Sequence, residues 1–175
     1  MKRNSYEAAE QSRNGYKKLI FLFFVFGIVL LFRTAVLERI IISGNSMFPS
    51  FSNGDICLAK KFMVEPERYD IVVAKVERKT VIKRVIGLPG ETIELRNGTV
   101  YIDGEKICQK YDYYTENGGL INEPYILAEN EYFLLGDNRS ESYDSRAFGS
   151  VNRENICGII IVKIYPFGEM KLYSR

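Results

Sequence analysis

Residues 92–102, Thr92-Ile93-Glu94-Leu95-Arg96-Asn97-Gly98-Thr99-Val100-Tyr101-Ile102, read as two short strands folded back on each other. β-Branched residues recur in both arms, Thr92 to Leu95 and Thr99 to Ile102, and Arg96-Asn97-Gly98 joins them with the Asn-Gly pair that hairpin turns favour. Asp103-Gly104 adds a further turn directly after. The hairpin sets the expectation for its surroundings, an antiparallel, mainly β domain.

Outward from it the pattern repeats. Before the hairpin, Ile56 to Lys60, Tyr69 to Val76 and Thr80 to Ile86 have strand character, the last stopped by Leu88-Pro89-Gly90. After it, Glu131 to Leu135 and Ile156 to Tyr165 are strands on either side of a polar loop from Gly136 to Val151. Lys110 to Pro124 is rich in Tyr, Asn, Gly and Glu without periodicity, so residues of roughly 97–130 are expected to form a smaller insert. Further upstream, the β-branched run Ile40-Ile41-Ile42 is broken by Ser43-Gly44-Asn45 into a turn that carries Ser46. These elements fill one domain, 39–175, long enough for a real core.

The N-terminal part differs. Leu19 to Phe32 is uninterruptedly apolar; with Arg33 snorkelling and Thr34 to Leu37 added, it approaches the roughly 20 residues that span a bilayer. The run has no polar face, unlike an interfacial helix, and no small-residue cleavage site behind it, unlike a removable signal. It is read as one uncleaved transmembrane anchor over 18–38, following a polar tail over 1–17. Lys2, Arg3, Arg13, Lys17 and Lys18 place the tail in the cytoplasm and the β domain outside the cell membrane.

Composition removes several chemistries. The chain has no histidine, which excludes Ser-His-Asp, Cys-His and His-ligated zinc sites within it. Its 24 basic and 22 acidic residues are interspersed, so no basic stripe marks a nucleic-acid partner. Cys57, Cys108 and Cys157 are widely spaced and lack paired metal or redox spacing. No cofactor and no metal are expected.

A serine without histidine needs another base, and Val81-Ile82-Lys83-Arg84-Val85-Ile86 offers one. Alternation puts Lys83 on the face of Val81 and Val85, and Arg84 on that of Ile82 and Ile86, so at least one cation faces apolar company. Burial disfavours the charged amine and moves its pKa from about 10.4 towards the range useful for a base. The plainer reading makes Lys83 and Arg84 edge-strand charges and Ser46 a turn serine.

Four segments tip the balance. SGNSMFPS, ERYDIVVAK, VIKRVIGLPGE and GDNRSESYDSRAFG, in this order behind one anchor, resemble the sequence boxes of bacterial type I signal peptidases. The resemblance implies that Ser46 is the nucleophile and Lys83 the general base. It aligns Ser142 with the family serine that hydrogen-bonds the lysine amine, and Asp144 and Arg146 with a supporting charged pair; Gly136, Asp137, Asn138 and Arg139 match the start of the last box. Two positions depart from the family. Gly44 stands where some members have an oxyanion-donating serine, and Tyr69 where a glycine is common.

The activity implied is acyl transfer, with removal of signal peptides from membrane-bound preproteins after small residues at positions −3 and −1. The lipid bilayer is a further partner and the secretion machinery a possible one. Met47, Phe48 and Phe51 either dip into the lipid interface or pack in the core. The competing readings are a membrane-anchored β-rich binding or assembly protein without catalysis, and a self-cleaving repressor-type serine-lysine protease. The latter needs a DNA-binding N-terminus and an Ala-Gly or Cys-Gly cleavage pair, and this sequence has neither.

Overall fold

A computed structural model describes residues 16–28, 36–62, 64–107 and 123–173. Residues 1–15 of the tail, the part of the apolar run over 29–35, and residues 108–122 of the expected insert, Cys108 included, lie outside the described residues. The chain divides into two compact units, Met1–Val36 and Leu37–Arg175.

In the first unit, residues 16–28 form a helix, α1. Leu19, Ile20, Phe21, Leu22, Phe23, Phe24, Phe26 and Ile28 are all exposed on it. Among the described residues no helix is long and apolar enough to cross a membrane.

The second unit is mainly β and antiparallel. Its strands are β1 (Leu37–Ile41), β2 (Ile56–Lys60), β3 (Ile71–Val76), β4 (Lys79–Gly87), β5 (Thr92–Arg96), β6 (Thr99–Ile102), β7 (Glu105–Lys106), β8 (Tyr125–Ile126), β9 (Glu131–Leu135), β10 (Val151–Asn152), β11 (Ile156–Tyr165) and β12 (Lys171–Leu172). The larger sheet runs β1-β2-β11-β3-β4-β9-β10, with β12 pairing β11; the smaller runs β7-β6-β5-β8. One boundary differs from the sequence reading. The hydropathy run extends the anchor to residue 38, whereas Leu37 and Glu38 belong to β1 and pair with Lys60 and Ala59. The ladder with β2 takes these residues because it satisfies their backbone groups inside the sheet.

The hairpin of residues 92–102 forms with Asn97 at φ 50° and Gly98 at φ 77°. Both values are positive, as the twist of a two-residue turn requires. Glu77 and Arg78 turn β3 into β4 the same way, at φ 48° and 68°. Gly87 lets the small sheet close on the large one: a β-carbon there would lie 2.4 Å from Ile93 Cδ1 and 2.9 Å from Phe133 Cβ.

Strand alternation divides the core. On β3, Ile71 and Val73 join a cluster with Ile42, Met47, Phe51, Cys57, Ala59 and Ile160. Val72 and Ala74 point the other way, to Val64, Val85, Tyr132, Leu134, Val151 and Ile156. A third cluster, with Ile86, Ile93, Val100, Leu127 and Phe133, joins the two sheets. Met47 and Phe51 are each 1% exposed, whereas Phe48 is 55% exposed. Of the three residues weighed for the lipid interface, two are therefore core, and losing the Phe51 side chain would cost about 3–5 kcal/mol.

Candidate functional site

Ser46 opens a tight turn over residues 46–50, just after Ile42 and the bend at 44–45. The turn closes on itself, with Phe48 N–H donating to Asn45 O (3.0 Å) and Phe51 N–H to Met47 O (2.9 Å). Burial of Met47 and Phe51 below pins it to the sheet. Asn138 N–H donates to Ser46 O (3.0 Å), so the loop after β9 abuts the serine's own backbone.

Lys83 and Arg84 are both buried, at 4% and 3% exposure. They lie where β4 changes neighbours. β9 pairs only from Arg84 to Gly87, so residues 79–83 have β3 on one side and no partner strand on the other among the described residues. Lys83 Nζ donates to Ser46 Oγ (2.9 Å) and to Ile82 O (3.0 Å). Burial pulls its pKa below the ordinary lysine value, against the opposing pull of the Asp144 and Asp137 carboxylates.

Arg84 meets Asp137 through two parallel bonds, Nε to Oδ1 (2.7 Å) and Nη2 to Oδ2 (2.5 Å). Its other arm reaches Tyr69 O (2.8 Å). Ser50 Oγ donates to Asp137 Oδ2 (2.5 Å) and accepts from Arg84 Nη2 (3.2 Å), so the buried pair also grips the far end of the serine turn. Such a planar, two-bond pair carries geometric specificity as well as charge.

A second ion pair organises the loop after β9. Asp144, fully buried, caps the short helix α2 (Ser145–Phe148) and accepts from Arg146 Nε (2.8 Å), Arg146 Nη2 (2.9 Å) and Gly136 N–H (3.0 Å). Arg146 Nη2 also donates to Arg139 O (2.5 Å), and Arg139 Nε to Gly136 O (2.9 Å). Gly136 sits where this loop presses on the serine: a β-carbon there would lie 2.2 Å from Ser142 Oγ and 2.5 Å from Ser46 O. Ser142 Oγ is buried and has no hydrogen-bond partner among the described residues.

The matched family model, described as signal peptidase, peptidase S26, covers residues 16–165. The chain belongs to this family. Among S26 relatives it is 33% identical to signal peptidase I S of Bacillus subtilis, covering 82% of this chain and 85% of the relative. Against signal peptidase I V of the same organism the figures are 34%, 82% and 96%. It is also similar to a solved signal peptidase I from Enterococcus faecalis, with 34% identity over 55% of this chain and 97% of that one and a TM-score of 0.45. As an S26 signal peptidase the chain is a peptidase, hence a hydrolase, which sets aside the non-catalytic binding protein.

In this S26 chain the structure brings Ser46, Lys83, Ser142, Asp144 and Arg146 to one region, but not with the contacts expected for all of them. The lysine amine bonds Ser46 Oγ and Ile82 O, while Ser142 Oγ, beside Gly136, has no partner among the described residues. Gly44 N–H donates to Asn53 Oδ1 (3.0 Å). Tyr69 holds a φ of 73° and packs its ring against the inter-sheet cluster. A left-handed backbone strains an aromatic residue by about 1–2 kcal/mol, which ring burial offsets.

Sequence reasoning missed three supports: the Arg84–Asp137 pairing, the Ser50 link to it, and Asp55 with Lys163, which meet at 3.2 Å under the turn. The only hint was that a cation beside Lys83 in an apolar strand needs a counter-charge. Cys57 and Cys157 are free thiols, and burial pushes Cys57 up to about 12.

Proposed function

We propose that this S26 peptidase is a membrane-anchored endopeptidase that removes signal peptides from exported preproteins, with Ser46 as nucleophile and Lys83 as general base. The observation that carries the reading is the 2.9 Å approach of Lys83 Nζ to Ser46 Oγ, with an amine that burial drives towards neutrality. In the neutral form the hydrogen bond reverses: Ser46 O–H donates to the nitrogen lone pair and its proton passes to Lys83 as Oγ attacks the scissile carbonyl. Backbone N–H groups beside Ser46 stabilise the oxyanion. The protonated lysine then gives its proton to the leaving amine, leaving an ester on Ser46, and neutral Lys83 activates the water that hydrolyses it.

Ser142 is the remaining partner for the amine, since its buried hydroxyl has spare hydrogen-bonding capacity next to Gly136 and Ser46. Asp144 and Arg146 hold the loop that carries it. The edge of β4 at residues 79–83, which has no partner strand on that side among the described residues, offers backbone groups to an extended substrate, which would present alternate side chains to the site and favour small residues at −3 and −1.

Membrane anchoring is supported by the exposed apolar residues of α1 together with the apolar run that continues past it, which we take as a single span with the N-terminus in the cytoplasm. In the β domain, Ile41 and Tyr165 are exposed and lie opposite the same residue, Ile56, from its two sides, and Phe167 packs edge-on to Tyr165. With Phe48 exposed on the serine turn, these are suited to meet lipid headgroups near emerging cleavage sites. Tethering enzyme and precursor to one surface raises their effective concentration.

The test is cleavage of a preprotein bearing an Ala-x-Ala site by the full-length enzyme in detergent. Ser46→Ala and Lys83→Ala should each abolish turnover with the fold retained by circular dichroism. Appreciable cleavage by either variant removes that residue from the mechanism, and none by the wild type removes the substrate.

A further inference from the structure

The C-terminal arm behind the serine turn carries a contact that the reaction scheme does not use. β12 pairs with β11, Val162 opposite Leu172 and Lys163 opposite Lys171, and Tyr173 N–H then donates to Ile161 O (2.9 Å). That register places the Tyr173 ring on the face that holds the turn, with its centroid 4.8 Å from that of Phe51 at an interplanar angle of 31°. Its hydroxyl donates to Ser50 O (3.0 Å).

Ser50 is thus gripped from two directions. Its side chain is held by the Arg84–Asp137 pair from the sheet, and its carbonyl by Tyr173 from the arm. The same arm supplies Glu169, which accepts from Lys163 Nζ (2.9 Å). Lys163 in turn donates to Asp55 Oδ2, the oxygen that accepts Ser52 N–H (2.9 Å). The turn's far end is therefore fixed at residues 50, 52 and 55, while Asn138 fixes its near end at Ser46 O.

We propose that Tyr173 is a positioning residue for the nucleophile: its hydroxyl on Ser50 O and its ring on Phe51 set the placement of Ser46 relative to Lys83 through the far end of the turn. The proposal rests on Ser46 as nucleophile. A near-attack geometry tolerates little displacement, since shifts of about 1 Å cost up to about 100-fold in rate. A hydroxyl latch lost from one end of a closed turn therefore acts on the chemical step. Substrate binding along β4 is left intact.

The experiment compares Tyr173→Phe with wild type, both full length in detergent. The substitution keeps the ring on Phe51 and removes only the hydroxyl. We expect kcat to fall about 3- to 30-fold with KM within about twofold and an unchanged melting temperature. Amide hydrogen exchange at Phe48 and Phe51, the two N–H groups that close the turn, should quicken. Wild-type kcat overturns the proposal. So does a lower kcat without faster exchange, or one that merely follows a lowered melting temperature. A parallel Ser46→Ala enzyme separates the two readings. If it still cleaves, the nucleophile assignment fails, while the exchange rates in Tyr173→Phe still report whether the tyrosine holds the turn.

Discussion

The carboxylate of Asp144 favours the charge on Lys83 that burial of the same amine disfavours, and burial is the larger influence. Native Lys83 therefore releases its proton at a lower pH than a lysine in the unfolded chain. Between the two values the unfolded state binds more protons, so this group's contribution to stability rises with pH up to the ordinary lysine value of about 10.4. Activity should rise over the lower part of that window, as the amine becomes neutral. The acid limb of kcat/KM is expected below the ordinary lysine range, and Asp144→Asn should shift it further to the acid side in whatever activity survives. A limb at the ordinary lysine value, or an alkaline shift in the variant, would contradict the assignment.

Ser142 is expected to act on the neutral amine. Ser142→Ala should keep part of the activity, with the acid limb displaced to higher pH because the uncharged form loses a hydrogen-bond donor. A wild-type pH profile would remove Ser142 from the site.

Gly136→Ala tests the close approach of the loop to the serine. With only 2.5 Å from the new β-carbon to Ser46 O, backbone must move, at an expected loss of about 1–3 kcal/mol in stability and a far larger relative loss in kcat. Thermal melting and steady-state kinetics on one preparation distinguish the two. Near-normal kcat would mean that the loop can retreat without disturbing Ser46.

Removing one partner of the buried Arg84–Asp137 pair leaves the other charge uncompensated. Asp137→Ala should lower stability by about 3–5 kcal/mol, read by denaturant or thermal unfolding. A surface-like loss of under about 1 kcal/mol would mean that water reaches the guanidinium.

The strands were legible because their information is local. Period-two patterns and turn pairs such as Asn97-Gly98 need no distant partner, and Ile56–Lys60, Glu131–Leu135 and Ile156–Tyr165 form over the residues their patterns mark. The absence of histidine pointed to a lysine, and the resemblance of four segments to signal peptidase boxes implied Ser46 and Lys83. By pattern residues 136–151 are only a polar loop, and it took the resemblance to single out Ser142, Asp144 and Arg146 there; neither reading gave the short helix capped by Asp144 or the tight Gly136 contact. Their order comes from side chains bonding backbone, which periodicity does not register.

What the sequence determined by itself was the longer strands, the apolar N-terminal run and the residue types able to carry acyl transfer; the two-residue strands Glu105–Lys106, Tyr125–Ile126, Val151–Asn152 and Lys171–Leu172 carry no pattern long enough to read. Only the tertiary structure decided how the serine is held. Arg84 and Asp137 are separated by 53 positions, and Tyr173 and Ser50 by 123, so no local pattern joins them. It also decided which cation meets Ser46. Alternation put Lys83 and Arg84 on opposite faces without choosing between them. The choice came from the end of β9 pairing at Arg84, which leaves Lys83 beside the turn with no partner strand on that side among the described residues.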